Sequence, residues 1–243
     1  MCIRDSLKGG KLKIIGAQYQ KNPFAIMSMS KTPIKTAKDM IGKKIGVQAT
    51  NEAIWAAFLK ANKIDPKSIT KVPVQFDPLP LTTGTVDGWM SFVTNEPNAL
   101  KLKGFDTTHF LFADQNYPLV SETYVVADKT IKERRPALKA FLRAEIKGWK
   151  DNIADPAAGA KLAAEVYGKG LGLTVEEQTL ESKDENALIH TDETKKNGLF
   201  TMTPELIAAN ISTLELAGHK VTADQIFDLS ILAEVYKEDP SLV

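Results

Sequence analysis

The chain has 243 residues, of which 43% are hydrophobic and 25% are charged, and its formal net charge at pH 7 is +1. This length allows one large domain or two smaller lobes with a sizeable buried core. The balanced charge argues against a nucleic-acid or membrane-surface role, which needs a basic stripe, and no apolar run reaches the roughly 18 residues of a membrane span. The single cysteine, Cys2, excludes an internal disulfide and a cysteine-based zinc site.

Short apolar runs dominate the first half of the chain and predict strands. The predicted strands are 11–17, 23–29, 44–48, 69–76, 86–93, 107–113 and 121–127. A helix after the third strand has a continuous apolar face, formed by Ile54, Trp55, Phe58 and Leu59. Pro73 marks the fourth strand as an edge strand. The alternation of strands and helices over residues 41–118 predicts a mostly parallel, helix-covered sheet that forms a lobe of its own.

The second half of the chain is predicted to be almost entirely helical. The predicted helices are 136–149, which is amphipathic, and 156–167, 174–188, 204–217 and 229–236. The glycine-rich stretch 168–172 lacks the preceding strand of a phosphate-binding loop, so it is interpreted as a plain connection.

The stretch 81–104 contains the most informative local pattern. Its apolar strand runs directly into a short helix, with Asn95 in the cap position and Glu96 in the first turn. This arrangement places the Glu96 carboxylate at the carboxyl edge of a sheet, where open α/β sheets hold small ligands. The alternative is that Glu96 only complements the helix dipole from a solvated first turn.

Other candidate binding residues come from similar strand ends. Thr50 or Asn51 is expected to cap the helix after the third strand, and the free N–H groups there suit a ligand oxygen or phosphate. Tyr19 and Gln20 stand in the polar loop between the first two strands, where they would form a ligand wall or an ordinary turn. Trp89 lies in the strand that leads to Glu96 and is expected to add an aromatic surface to the same site.

Four motifs resemble those of one family, the periplasmic solute-binding proteins of ABC importers. The motifs are YQKNPFAIMS (19–28), KDMIGKKIGVQ (38–48), GTVDGW with NEP (84–97), and GW followed by DP (148–156). The branch concerned groups thiamine-pyrimidine-precursor binders with nitrate, sulfonate and taurine binders. The resemblance implies an α/β, two-lobe periplasmic binding protein type II fold, with lobe 1 in residues 7–40 and 119–243 and lobe 2 in residues 41–118.

The resemblance also implies that the start of the first lobe is missing, by two strand–helix units or roughly 60–80 residues. Residues 1–6, MCIRDS, look like translated adapter sequence and are expected to be a non-native leader. A signal peptide is then expected in the missing N-terminus, and the protein is expected in the periplasm.

In thiamine-precursor binders, the glutamate at the strand-to-helix position after the GxVD turn contacts the aminopyrimidine ring, and Glu96 matches it by position. The expected ligand-binding residues are Glu96, Asn95, Trp89, Thr50, Asn51, Tyr19 and Gln20. We expect a monomer that binds a small solute and works with an ABC importer membrane permease. No metal, cofactor or nucleic acid is expected.

The ligand and the class of protein have alternatives at this stage. Riboflavin and nitrate- or sulfonate-type solutes are bound within the same branch. An enzyme resembling the thiamine-pyrimidine synthases would share the fold, but it would need a cysteine-rich motif, and Cys2 is the only cysteine here. The three histidines lack metal-ligand spacing, and no Ser-His-Asp candidate or Walker A loop is present. The sequence therefore favours capture of a solute over catalysis.

Overall fold

A computed structural model of the protein describes residues 9–243. The leader expected in residues 1–6, including Cys2, lies outside the described residues. Within residues 9–243, no helix combines the length and the apolar character needed to cross a membrane.

Seven strands form two separate sheets in the described part. The strands are β1 (Leu12–Tyr19), β2 (Phe24–Met29), β3 (Lys44–Gln48), β4 (Thr70–Val74), β5 (Gly88–Phe92), β6 (Thr107–Leu111) and β7 (Ser121–Ala127). The larger sheet has the order β4-β3-β5-β2-β6, and β1 pairs only with β7, in antiparallel fashion. In the larger sheet β3 is parallel to β4 and β5, whereas β2 is antiparallel to β5 and β6. The sheet is therefore mixed, not mostly parallel as predicted, while Pro73 does lie on an edge strand.

The sheet topology corrects the lobe boundary expected between residues 40 and 41. Strand β2 has four consecutive fully buried residues, Ala25–Ser28, which suits a central strand covered on both faces. The next segment also packs in the core of the larger sheet, where Ile34 and Met40 join Phe58. Residues 24–40 therefore belong with the larger sheet, and we propose residues 24–118 as the second lobe.

The two segments that join the sheets run side by side and are bonded through Asn22. Its backbone N–H donates to Leu119 O at 2.9 Å, and its Nδ2 donates to Tyr117 O at 2.9 Å. Asn22 is only 3% exposed, so these bonds lie inside the protein. Residues 20–23 and 115–120 thus form one bonded connection between the two sheets.

Eleven α-helices complete the described part of the fold. They are α1 (Glu52–Ala61), α2 (Leu79–Thr82), α3 (Glu96–Leu102), α4 (Asp128–Glu133), α5 (Arg135–Ala154), α6 (Pro156–Lys161), α7 (Val175–Ile189), α8 (Asp192–Asn197), α9 (Pro204–Leu216), α10 (Ala223–Ile226) and α11 (Ser230–Glu238). A π-helical turn, Leu162–Tyr167, follows α6 where a continuous α-helix was predicted. Helices α4, α8 and α10 are not predicted from the sequence because they are too short to show a 3.6-residue period.

Each sheet has its own apolar core. Leu142 and Ile146 of α5 pack with Ile15 of β1 and with Val235 of α11. In the other core, the rings of Phe58 and Phe112 stack with centroids 3.7 Å apart. Two smaller clusters complete the core of the described residues, and the cluster that contains Leu142 also includes Ala25 of β2, so the apolar cores of the two sheets are in contact.

Candidate functional site

The carboxyl edge of the larger sheet brings several predicted site residues together. Strands β3 and β5 are parallel neighbours, so the chain leaves both of them at the same edge. Gln48, the last residue of β3, donates from Nε2 to Met90 O of β5 at 2.8 Å, and Asn51 Nδ2 donates to Gln48 Oε1 at 3.0 Å. The turn after β3 and the turn after β5, which carries Glu96, therefore stand next to each other.

The Glu96 carboxylate points back to the end of β5. Its Oε2 accepts a hydrogen bond from the backbone N–H of Phe92 at 2.8 Å, and its Oε1 makes no bond to another described residue. The side chain is half-buried. Burial raises the pKa of Glu96, and the hydrogen bonds from the N–H groups of Phe92 and of Glu96 itself oppose that rise. Glu96 therefore closes the strand-to-helix turn with one oxygen and leaves the other available.

The remaining residues at this edge are more exposed. Asn95 is exposed, and its Oδ1 accepts from Thr94 Oγ1 at 2.8 Å instead of capping α3. Thr50 is exposed as well, and Asn51 occupies the cap position of α1 without a side-chain cap bond. Asn51 thus stands in the expected cap position, but its side chain does not make the cap bond that the sequence predicted.

Tyr19 and Gln20 approach the same edge from the smaller sheet. Strand β1 ends at Tyr19, and after four intervening residues β2 begins at Phe24, which lies opposite Phe92. The Tyr19 hydroxyl donates to Glu185 Oε1 at 2.6 Å, and burial followed by the contact with Glu185 raises the pKa of Tyr19. Gln20 Nε2 donates to Ala17 O at 2.9 Å.

Both side chains are more than nine-tenths buried, with 5% of Tyr19 and 6% of Gln20 exposed. Tyr19 and Gln20 therefore lie inside the protein near this edge and expose little surface to a solute. The ligand wall expected from these two residues is therefore limited in the described conformation.

Trp89 does not provide the aromatic surface that was expected of it. The side chain is fully buried and packs against Met27, Leu81 and Leu100. A methyl group added at Gly46 would come within 2.9 Å of the ring, so Gly46 lies directly against it. Trp89 is the second residue of β5, three positions before the strand ends, and α3 covers the face it occupies. It is a core residue, and the expectation was wrong.

The aromatic surface near Glu96 belongs to two phenylalanines that the sequence analysis did not single out. Phe24 and Phe92 are both half-buried, and their rings meet edge to face with centroids 4.7 Å apart. They are cross-strand partners at the start of β2 and the end of β5. The backbone N–H of Phe92 bonds to Glu96, so the two rings lie at the same end of β5 as the carboxylate.

A cavity of about 330 Å³ lies between α5, α6 and α7 on the other side of Tyr19. Three carboxylates line it, Glu145, Glu181 and Glu185, together with Trp149 and several small residues. Tyr124 donates to Glu145 Oε2 at 2.8 Å, and burial raises the pKa of both Glu181 and Glu185. The sequence signal for this group is the spacing of four residues between Glu181 and Glu185, which puts them on one helix face.

Half-buried carboxylates and aromatic rings can bind a solute that donates hydrogen bonds and carries a ring. In the described part of the chain, no cluster of three or more His, Cys, Asp or Glu residues has the arrangement of a metal site.

The fold is that of the periplasmic binding proteins. The structure matches the periplasmic aliphatic sulphonate binding protein SsuA from Escherichia coli with a TM-score of 0.68, over 93% of this chain and 72% of that chain, at 17% identity. It also matches the desulfurization enzyme DSZB with a TM-score of 0.59, over 97% of this chain and 83% of that chain, at 12% identity. These likenesses confirm the predicted α/β periplasmic-binding-protein fold.

Residues 2–159 match the NMT1/THI5-like family. This is more than half of the sequence, and the chain belongs to that family. The riboflavin-binding protein RibY of Chloroflexus aurantiacus is 25% identical over 160 residues, which are 61% of this chain and 43% of RibY. The matched region thus spans less than half the length of that curated relative.

Proposed function

We propose that the protein is the substrate-binding component of an ABC importer. It would capture a small aromatic heterocycle of the thiamine-pyrimidine-precursor type between its two lobes, in the periplasm, and deliver it as a monomer to a membrane permease. Family membership and fold support the class of protein. The observation that carries the choice of solute is the Glu96 carboxylate, half-buried at the sheet edge with one oxygen anchored and the other available.

An aminopyrimidine has the complementary chemistry for this edge. Its amino group is a donor beside a ring nitrogen, and a carboxylate accepts from the donor and pairs with the nitrogen when that is protonated. Phe24 and Phe92 would contact the ring faces or edges.

Charge discriminates between the alternative solutes. A sulfonate or nitrate anion next to the Glu96 carboxylate would be repelled, and the half-buried carboxylates of Glu181 and Glu185 add to the negative potential. Riboflavin is a second candidate, because it is an aromatic heterocycle with ring donors and acceptors and because the relative RibY is a riboflavin-binding protein. We propose binding without chemical conversion, although DSZB shows that an enzyme can have this fold.

Isothermal titration calorimetry on protein expressed from the complete reading frame tests the proposal. Hydroxymethylpyrimidine, riboflavin and an aliphatic sulfonate would be titrated in turn, and mass spectrometry would check that the bound solute is recovered unchanged. Saturable binding of a heterocycle, and none of the sulfonate, is expected. Binding of the sulfonate alone would refute the choice of solute, and a chemically altered solute would refute binding without catalysis.

A further inference from the structure

Helix α7 is bonded through two consecutive residues to the two parts of the candidate site. Glu185 accepts the hydrogen bond from Tyr19 at the end of β1. Its neighbour Asp184 accepts from Asn98 Nδ2 at 2.7 Å, through Oδ2. Asn98 is the third residue of α3, the helix that begins with Glu96. Because successive residues of a helix point about 100° apart, one helix can contact both partners at once.

The side-chain amide of Asn98 has no unused N–H group. Its Nδ2 also donates to Thr94 O at 2.9 Å, so both amide hydrogens are used, one inside the turn that carries Glu96 and one outside it. The Asn98 side chain is 6% exposed; its bond to Thr94 is buried, and its bond to Asp184 is partly buried. Asn98 therefore links the Glu96 turn to α7.

Helix α3 depends on such a link because it is short. It has seven residues, about two turns, and an isolated helix of that length is not stable in water. Leu100 anchors one side of α3 in the core with Trp89. On the side that faces the other lobe, α3 packs against α7, and Asn98–Asp184 is the side-chain hydrogen bond between them.

We propose that Asp184 is a positioning residue for the binding site. By accepting from Asn98, it holds α3 and the Glu96 carboxylate in register with the lobe that carries Tyr19. The bond joins residues of different lobes, so it forms when the lobes come together and breaks when they separate. This inference rests on the proposed function, and it gives Asp184 and Asn98 a role that their sequence positions, 86 residues apart, do not reveal.

Four variants and a neighbouring control test this role. Asp184→Ala and Asn98→Ala each remove the bond, and their double variant shows whether the two residues act through it. Asp184→Asn retains an oxygen that can accept from Asn98. Lys183→Ala is the control, because Lys183 is the exposed neighbour of Asp184 on the same helix. Affinity for hydroxymethylpyrimidine and riboflavin, melting temperature, and hydrogen exchange of residues 96–102 without ligand would be measured for each.

The alanine variants should bind the heterocycle about 10- to 100-fold more weakly, the range that corresponds to a hydrogen bond with a charged group. The double variant should be no weaker than the worse single variant, Asp184→Asn should recover most of the affinity, and Lys183→Ala should match wild type. Faster exchange over residues 96–102 is expected in both alanine variants. Wild-type affinity in Asp184→Ala together with unchanged exchange would overturn the proposal.

The exchange measurement separates this inference from the proposed function. If wild-type protein binds neither heterocycle, the proposed function fails, and the hydrogen-exchange data alone test whether Asp184 positions α3. Unchanged protection of residues 96–102 in Asp184→Ala would then refute positioning. Weaker affinity that only follows a lowered melting temperature, and that Asp184→Asn does not recover, would refute it as well.

Discussion

Replacing Glu96 by glutamine separates a role in binding from a role in the strand-to-helix turn. Glutamine keeps an oxygen that can accept from the Phe92 N–H, so the turn should stay closed. It replaces the available carboxylate oxygen by an NH₂ group, which cannot accept a hydrogen bond from the solute. The substitution therefore removes the charge and the second acceptor with little change of shape.

The expected loss of affinity is large. Truncating one partner of a buried, charged hydrogen bond costs about 2–5 kcal/mol, or roughly 30- to several-thousand-fold in Kd. A carboxylate at an exposed helix N-terminus contributes only about 0.3–1 kcal/mol to stability. Because burial disfavours the charged form of Glu96, the neutral glutamine offsets even that small contribution. The melting temperature without ligand should hardly change.

Glu96→Ala is the matched comparison. It removes the acceptor for the Phe92 N–H, and an unpaired buried donor costs about 1–3 kcal/mol, so this variant should melt at a lower temperature. Calorimetry with the heterocycles and thermal melting of both variants provide the readout. Unchanged affinity in Glu96→Gln together with a lowered melting temperature would leave Glu96 with a purely structural role.

Three further predictions concern stability. Tyr19→Phe removes a buried hydroxyl bonded to a half-buried carboxylate and should cost about 1–3 kcal/mol in urea unfolding, whereas Tyr167→Phe, at an 83% exposed position, should cost nothing measurable. Burial raises the pKa of Glu181 above its ordinary 4.5, so the folded state binds this proton more tightly than the unfolded state, and the free energy of unfolding falls as pH rises from about 4.5 through the raised pKa. Glu181→Gln should flatten that fall, and parallel stability profiles of the two proteins from about pH 4 to 8 would contradict the prediction. Gly46→Ala should destabilise the protein by about 1–3 kcal/mol because the new methyl group would lie 2.9 Å from the Trp89 ring, and a melting temperature equal to wild type would show that the ring moves freely.

Local patterns predict the individual elements well. Strands β3 and β7 occupy the residues expected for them, α1 follows β3 as predicted, and the helices α5, α7, α9 and α11 begin and end within five residues of their predicted bounds. Helices α1, α5 and α11 have a clear period, and the apolar face that produces the period is the face that packs. The strand-to-helix junction that carries Glu96 is predicted for the same reason, since its strand, cap and helix are contiguous in sequence.

Pairing between distant elements could not be predicted in the same way. The position of β2 depends on Phe24 facing Phe92, and the state of Tyr19 depends on Glu185, a residue 166 positions away. A local pattern shows that a strand is apolar on both faces but not which strands flank it. Trp89 was misjudged because proximity in sequence to Glu96 does not reveal which face of β5 is covered by α3.

The bond between the two joining segments restricts how the halves of the molecule can move. Asn22 fastens residues 20–23 to residues 115–120 through its backbone and its amide, so neither segment can twist without the other. Two segments that are hydrogen-bonded at one point resist sliding and separation there, but they can still bend about that point. We therefore expect the two sheets to move relative to each other by a hinge rotation with its axis near Asn22. Elements close to the hinge, such as Gln20, would move least, and the α3–α7 contact would be among those that travel.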